Sequence, residues 1–146
     1  MTTVQDCIQN KANTIYSVCS TDFIEAALKL MRDNRVRAIL VIDNGRLSGI
    51  VSQGDCAIRV LLPKKDPQST PVSEVMTPAP LTVTPENTLD ECMAIMVHKH
   101  IRHLPVVEKN TVKGIVSVGD VVKNIMEAQG SHIKFLETYI RGHGSQ

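Results

Sequence analysis

The sequence lacks the features that mark several large classes of protein. Lys and Arg number 16 against 15 Asp and Glu, so the formal net charge is only +1. No strongly basic face or tail is visible, although proteins that bind nucleic acid by neutralising phosphates usually have one. No run approaches the roughly 18 apolar residues that a membrane span needs. We therefore expect no nucleic-acid partner and no membrane segment.

The N-terminal segment and the cysteines also lack specialised patterns. Residues 1–11 have neither the charged and then apolar pattern of a signal peptide nor the arginine-rich composition of a transit peptide, so we expect a cytoplasmic protein. The four cysteines contain no C-x-x-C pair that would indicate a zinc site or a redox dithiol. We expect reduced, partly buried thiols that pack as small hydrophobic groups.

Motifs of the common enzyme classes are missing as well. There is no P-loop, no H-E-x-x-H, no G-x-S-x-G and no paired Cys/His signature. His98, His100 and His103 span a predicted helix end and strand start without metal-ligand context. We therefore expect no catalytic residue and no metal site.

What the sequence does contain is an internal repeat. The segment GIVSQGD at 49–55 returns as GIVSVGD at 114–120, and the same offset of 65 residues pairs Arg37 with Arg102 and Met31 with Met96. Each unit has roughly 60 residues, which is too few to bury a comfortable core alone. The two units must therefore pack on each other.

Each unit is predicted to have the order strand, helix, strand, strand, helix, which gives an α/β (α+β) fold. In the first unit a short helix at 3–9 precedes a strand at 14–18, and a helix follows from the candidate N-caps Thr21 and Asp22 to Asn34. Asn44-Gly45 predicts a hairpin of strands 37–43 and 46–52. A last helix opens at Gly54 and carries Ile58, Val60, Leu61 and Leu62.

The second unit is predicted to repeat this order after a short linker. Its counterpart of the first helical turn is 71–76, followed by a strand at 81–83, a helix from about 86 to 100, a second hairpin, and a last helix from about Asp120. Three prolines mark the linker. The predicted division is 3–62 for repeat 1, 63–70 for the linker, 71–126 for repeat 2 and 127–146 for a C-terminal helical tail that includes Ile133, Leu136 and Ile140.

Two S-x-x-D patterns stand where a strand ends and a helix begins. Ser52 with Asp55, and Ser117 with Asp120, each match a capping box, which serves only to cap the helix. The same residues could also bind a ligand, because an ionised aspartate accepts both hydroxyl hydrogens of a cis-diol and the free N–H groups of a helix start favour phosphate. Spacing alone leaves both interpretations open.

Here a family resemblance becomes specific. The duplicated hairpin that closes in G-h-x-S-x-x-D, together with the run RHLPVVEKNTVKGIVSVGDVVKNIME, resembles the cystathionine-β-synthase (CBS) domain pair, over about residues 3–126. The chain is most similar to small stand-alone bacterial CBS pairs assigned to signal transduction. The resemblance implies two units related by a pseudo-twofold axis, two clefts between them that bind AMP, ATP or NAD(H), a homodimer of pairs, and a regulated protein partner.

The resemblance also implies which residues contact the ligand. The serine and aspartate of each motif contact phosphate and ribose, and the strand before each hairpin supplies the base-facing wall and often a cation. Because of the pseudo-twofold axis, a cleft takes its aspartate from one repeat and much of its adenine wall from the other. The implied residues are Ser117 and Asp120, Ser52 and Asp55, Val36, Arg37 and Ala38, Ile101, Arg102 and His103, and, near the first strands, Thr14 and Pro80.

Repeat 1 departs from the family pattern before its aspartate. Gln53 and Gly54 stand where the resemblance implies a charged pair such as Glu-Arg, so a phosphate-binding arginine is missing. We therefore expect the Asp120 cleft to be the stronger site. The main expectation is a regulatory module that is not an enzyme. Two alternatives stay open: a structural dimerisation module with empty clefts, and a nucleotide hydrolase that uses Asp120 as its base.

Overall fold

The computed structural model describes residues 2–9 and 14–128 of the 146-residue chain. The first repeat follows the predicted order of elements. These are α1 (Val4–Gln9), β1 (Ser17–Val18), α2 (Ile24–Asn34), β2 (Ala38–Asp43), β3 (Arg46–Ser52) and α3 (Gln53–Cys56), which continues into a π-helical turn, Ala57–Leu61.

The second repeat has the same central helix, hairpin and last helix as the first. A short 3₁₀ turn (Val72–Glu74) and β4 (Thr77–Pro78) precede α4 (Leu89–Lys99), β5 (His103–Glu108), β6 (Thr111–Ser117) and α5 (Val118–Ala128). The ends of α4, β5 and β6 lie 65 residues after the ends of α2, β2 and β3. The offset found in the sequence is therefore the offset of the structural repeat.

Both hairpins form as predicted. β2 pairs antiparallel with β3, and β5 pairs antiparallel with β6, each with an irregularity at the same place, after Val41 and after Val106. The first turn uses the left-handed region at Asn44 and Gly45, with φ of 52° and 78°. The second turn uses the same left-handed region without a glycine. The two turns therefore have the same backbone conformation although their residues differ.

The strand predicted at 81–83 is wrong. Only Val83 pairs there, in a single parallel bridge to Val106. Val83 N donates to Pro105 O, and Val83 O accepts from Val107 N. A strand that was not predicted, β4, instead pairs with β3 opposite Gly49 and Ile50. The sheets are consequently unequal, with the order β1-β2-β3-β4 in repeat 1 and β5-β6 in repeat 2.

The prediction that Thr21 or Asp22 caps α2 is also wrong. The N-cap is Phe23, whose side chain makes no capping hydrogen bond. The carboxylate of Asp22 already accepts from Cys19 N at 2.8 Å in the preceding turn, so it is not available to the helix. In repeat 2 the corresponding helix has a complete capping box between Thr88 and Glu91.

The two repeats exchange their first segments. The helix that precedes repeat 1 packs on repeat 2, and the turn that precedes repeat 2 packs on repeat 1. α1, at the start of the chain, packs on repeat 2, where Val4 N donates to Asn87 O at 2.8 Å. The turn after the linker packs on repeat 1, where Val72 N donates to Asp22 O at 2.7 Å. Two buried cores follow from this exchange, because Val4, Cys7 and Ile8 complete the core of repeat 2 while Val72 and Val75 complete that of repeat 1.

The cysteines and the apolar helix faces agree with the predictions only in part. All four cysteines lie in the described residues and no disulfide joins them; Cys7, Cys56 and Cys92 are buried and Cys19 is exposed. Burial raises the pKa of the Cys56 and Cys92 thiols to about 11, which keeps them protonated. Of the apolar residues predicted on the last helix of repeat 1, only Val60 is buried, while Ile58, Leu61 and Leu62 are 64–76% exposed.

The last helix begins at Val118, two residues before the predicted Asp120, and is described to Ala128. The predicted tail beyond it, with Ile133, Leu136 and Ile140, lies outside the described residues. Within the described ranges, no helix combines the length and the apolar character that crossing a membrane would require.

Candidate functional site

The two S-x-x-D motifs form the capping boxes that their spacing predicts. At the start of α5, Ser117 N donates to Asp120 Oδ2 at 2.9 Å and Asp120 N donates to Ser117 Oγ at 3.1 Å. Ser52 and Asp55 form the same pair of bonds at the start of α3, with the same distances. The capping box fixes both side chains at the junction of strand and helix.

The Asp120 motif opens onto a cavity of about 770 Å³ between the repeats. This volume is within the range of about 300–1,000 Å³ typical of small-molecule sites. Repeat 1 lines it with Thr14, Ile15, Tyr16, Arg35, Val36, Arg37, Ala38 and Leu40. Repeat 2 lines it with Arg102, His103, Ile115, Ser117, Val118, Gly119 and Asp120.

Strand pairing explains how repeat 2 brings its residues together. His103 begins β5 directly opposite Ser117 at the end of β6. The start of α5 is tied to the same place, because Val118 N donates to Arg102 O at 3.0 Å. Arg102 and His103 therefore lie beside Asp120 of their own repeat. The wall from the other repeat, which the pseudo-twofold axis implies, consists of Thr14 and residues 36–38.

The end of α2 positions the cations of the repeat 1 wall. Arg35 is the C-cap of this helix and has left-handed backbone, with φ of 54°. Its N–H and that of Val36 both bond to Met31 O, which ends the helix and directs the chain into β2. Arg37 O accepts from Gln53 N at 3.0 Å, so the start of β2 is tied to α3. Arg35 and Arg37 consequently leave the backbone on either side of Val36.

The residues that line the cavity carry more positive than negative charge. Three arginines, Arg35, Arg37 and Arg102, are among them, all three exposed to solvent, and Asp120 supplies the one carboxylate. Within residues 2–9 and 14–128, no carboxylate forms an ion pair with any of the three. Arginine presents a planar fork of donors that matches phosphate oxygens, so the arrangement suits an anion.

Eight of the twelve predicted site residues line this one cavity. Ser117, Asp120, Arg102, His103, Val36, Arg37, Ala38 and Thr14 line it. Ser52, Asp55, Ile101 and Pro80 do not. Sequence reasoning missed Arg35, although its place directly after the predicted helix end at Asn34, and two residues before Arg37, was a signal for it.

Asp55 lines neither of the two cavities described for residues 2–9 and 14–128. A second cavity, of about 360 Å³, is lined by Thr3, Gln5, Pro85, Glu86 and Glu108 and includes no predicted site residue. Gln53 and Gly54, at the start of α3, are both exposed. Asp55 thus repeats the helix cap of Asp120 but is not among the residues that line the 770 Å³ cavity.

Comparison with known proteins gives one family. The model of the CBS domain matches residues 12–61 and 72–127. The CBS domain-containing protein YhcV of Bacillus subtilis is 35% identical over 133 residues, which cover 90% of this chain and 92% of the relative.

Solved structures agree with this result. A CBS-domain protein from Burkholderia ambifaria is 38% identical and superposes with a TM-score of 0.84, over 88% of this chain and 96% of the other. The structure of CBSX2 in complex with AMP is 25% identical with a TM-score of 0.70, over 87% of this chain and 98% of the other.

Proposed function

The chain belongs to the CBS domain family and is a CBS pair, and we propose that it is a regulatory module that binds an adenosine-containing nucleotide in the Asp120 cleft. In this proposal AMP, ADP, ATP or NAD(H) enters between the repeats and the module is not an enzyme. The regulated partner is another protein.

The observation that carries the proposal is the arrangement of charge in the cavity. Asp120, held by its capping box, is an acceptor suited to the two hydroxyl groups of a ribose. Arg37 and Arg102 supply donors for a phosphate. The apolar side chains of Val36 and Ile115, with the ring of Tyr16, offer a surface for a base. A nucleotide has these three parts, and a CBS pair of the same fold forms a complex with AMP.

Transmission of the signal follows from the position of the cavity. Its walls come from both repeats, so a ligand that contacts both stabilises one arrangement of the repeats over another, and only such differential binding can transmit a signal. The exposed Ile58, Leu61 and Leu62 form an apolar patch of the kind that marks protein contacts. We propose that this patch contributes to a homodimer of CBS pairs.

Two alternatives make different predictions. A structural dimerisation module would bind no nucleotide. A hydrolase would use Asp120 as its base and would turn a nucleotide over on standing. The three arginines among the lining residues favour ligand binding over an empty cleft, because a guanidinium group presents donors that match phosphate oxygens.

Titration calorimetry of the full chain with AMP, ADP, ATP and NAD tests the proposal, with Asp120→Ala and Asp55→Ala as a matched pair. Both substitutions remove one capping box, so both should cost about 1 kcal/mol of stability. Asp120→Ala should weaken nucleotide binding about 100-fold, because two charge-assisted hydrogen bonds are lost. Asp55→Ala should leave the affinity within about two-fold.

The other outcomes separate the alternatives. A folded Asp120→Ala variant with wild-type affinity would refute the site. Wild-type protein that binds none of the four nucleotides would favour the structural module. Release of phosphate from ATP, abolished by Asp120→Ala, would favour the hydrolase.

A further inference from the structure

We propose that the Asp120 cleft contains a second anionic subsite, formed by Arg35, and that its ligand is a nucleoside di- or triphosphate in preference to a monophosphate. This inference rests on the proposed function, since it names the ligand class of the same cavity. Neither the S-x-x-D motif nor the strand that follows α2 includes Arg35.

The number of cations in the cavity is the first argument. One phosphate group is satisfied by two arginines, because each guanidinium donates two parallel hydrogen bonds to phosphate oxygens. Arg37 and Arg102 already provide that pair, and Arg35 is the third. The chain as a whole has an excess of only one positive charge, so three arginines with one aspartate are a local concentration of charge. A ligand with additional phosphates would balance it.

The backbone at Arg35 is the second argument. Non-glycine residues rarely have positive φ, and glycine is the usual residue at this position of a helix end. Arg35 nonetheless occupies it with φ of 54°, and the bonds from Arg35 N and Val36 N to Met31 O hold the backbone there. The exposed side chain of Arg35 thus leaves a fixed backbone at the margin of the cavity, and it offers an anion a cationic group that glycine would lack.

The matching position in repeat 2 shows that the helix end does not by itself require a cation in the cavity. His100 has the same φ of 54° at the C-cap of α4, and its N–H likewise bonds to Met96 O. His100 does not line the Asp120 cavity. The two positions share the backbone and differ in their relation to the cleft, which makes His100 a matched control.

Calorimetry of the full chain without divalent cations, using AMP, ADP, ATP and NAD, tests the subsite. Wild-type protein should bind ATP about 10-fold more tightly than AMP, since a charge-assisted hydrogen bond corresponds to at least that factor. Arg35→Gln keeps a non-glycine side chain at the left-handed position but removes the charge. It should abolish the preference by weakening ATP and leaving AMP within about two-fold. Arg35→Lys should keep part of the preference, and His100→Gln all of it.

Salt provides an independent readout. The ratio of ATP to AMP affinity should fall as ionic strength rises in wild-type protein, and it should be nearly constant in Arg35→Gln. Thermal unfolding without ligand should show that Arg35→Gln is folded.

Several results would overturn the inference. Equal affinity for AMP and ATP in the wild type, or an Arg35→Gln variant that weakens both nucleotides equally, would remove the second subsite and leave the proposed function intact. Tighter binding of NAD than of ATP would assign the extra cation to the pyrophosphate of a dinucleotide instead. Absence of binding by every nucleotide would overturn the inference and the proposed function together.

Discussion

Repeat 1 has the strand β4 paired with β3 of its hairpin, whereas repeat 2 has the helix α1 packed against β6. Gly49 in β3 faces Met76 and Thr77, so closely that an added Cβ would lie 2.7 Å from Met76 Sδ and 2.8 Å from Thr77 O. At Gly114, the same residue of the second copy, the nearest described atoms to an added Cβ would be in the Ile8 side chain, at 3.8 Å. A duplicated glycine is therefore required by close approach in one repeat and not in the other.

The same distinction applies to the two aspartates. Asp55 and Asp120 have identical capping boxes, but only Asp120 lines the large cavity. Duplication copies a residue together with its local bonds, and the surroundings then decide whether that residue has a second role. Recurrence of a motif in both repeats is thus evidence for local structure first and for function only where the walls are also present.

The largest difference in stability between the two repeats is expected when each of the two glycines is replaced by alanine. Gly49→Ala should lower the free energy of unfolding by about 2 kcal/mol, because the methyl group meets the Thr77 carbonyl, which is backbone and cannot move without displacing β4. Gly114→Ala should change it by less than about 0.5 kcal/mol, since 3.8 Å is an ordinary contact. Urea denaturation of both variants measures the difference. Equal destabilisation would show that the two edges are equally crowded.

A smaller effect is expected at the starts of α2 and α4. Thr88→Ala should lower the free energy of unfolding by about 1 kcal/mol, because it removes the acceptor for Glu91 N. Phe23→Thr, at the matching N-cap of α2, should add almost nothing.

The reason is that the linker already caps α2. Pro67 O accepts from Glu25 N and Thr70 O accepts from Ile24 N, both at 3.0 Å. Thermal denaturation of the two variants checks the pair. A Phe23→Thr variant that is about 1 kcal/mol more stable than wild type would mean that the linker carbonyls do not satisfy the helix start.

The smallest effect is expected in the response to acid. The Ser48 hydroxyl and Ser20 N–H donate to Asp43 and hold the pKa of its carboxyl below the usual value of about 3.9. A lowered pKa means that this stabilisation is present above pH 4 and is lost as the pH falls through the folded-state value. Asp43→Asn should therefore flatten the loss of stability below pH 4.

The matching control is Glu108→Gln in repeat 2. Among the described residues, no hydrogen bond to the carboxylate of Glu108 parallels those made to Asp43, so this variant controls for the loss of one carboxylate at the same hairpin position. Urea midpoints at several pH values between 3 and 7 measure both slopes. An unchanged slope in Asp43→Asn would show that the two serine bonds do not persist in solution.

The sequence predicted the features that depend on neighbours along the chain. The first hairpin follows from the turn Asn44-Gly45 and the second from the repeat, while the capping boxes follow from serine and aspartate three residues apart. These structures depend on a few adjacent dihedral angles and bonds, which the local residues determine. The offset of 65 residues then transferred each local prediction to the second repeat.

Features that depend on distant partners were not predictable in this way. β4 has two residues, one of them Pro78, and forms only because β3 offers it an edge. Phe23 is a poor N-cap by composition, but the distant linker supplies the acceptors that its side chain lacks. The exposure of Leu61 and Leu62 also depends on tertiary contacts. The role of Arg35 at the cavity appears only when α2 and repeat 2 are in place together.

The exchange of segments between the repeats has a consequence for the order of events during synthesis. Repeat 1 cannot complete its core until Val72 and Val75 have left the ribosome, and α1, made before repeat 1, has no partner until the second repeat follows. α1 is thus made before repeat 1 but docks after it, and closing such a distant contact is slow compared with forming local structure. A release of α1 in the finished protein would uncover the core of repeat 2 while leaving that of repeat 1 closed.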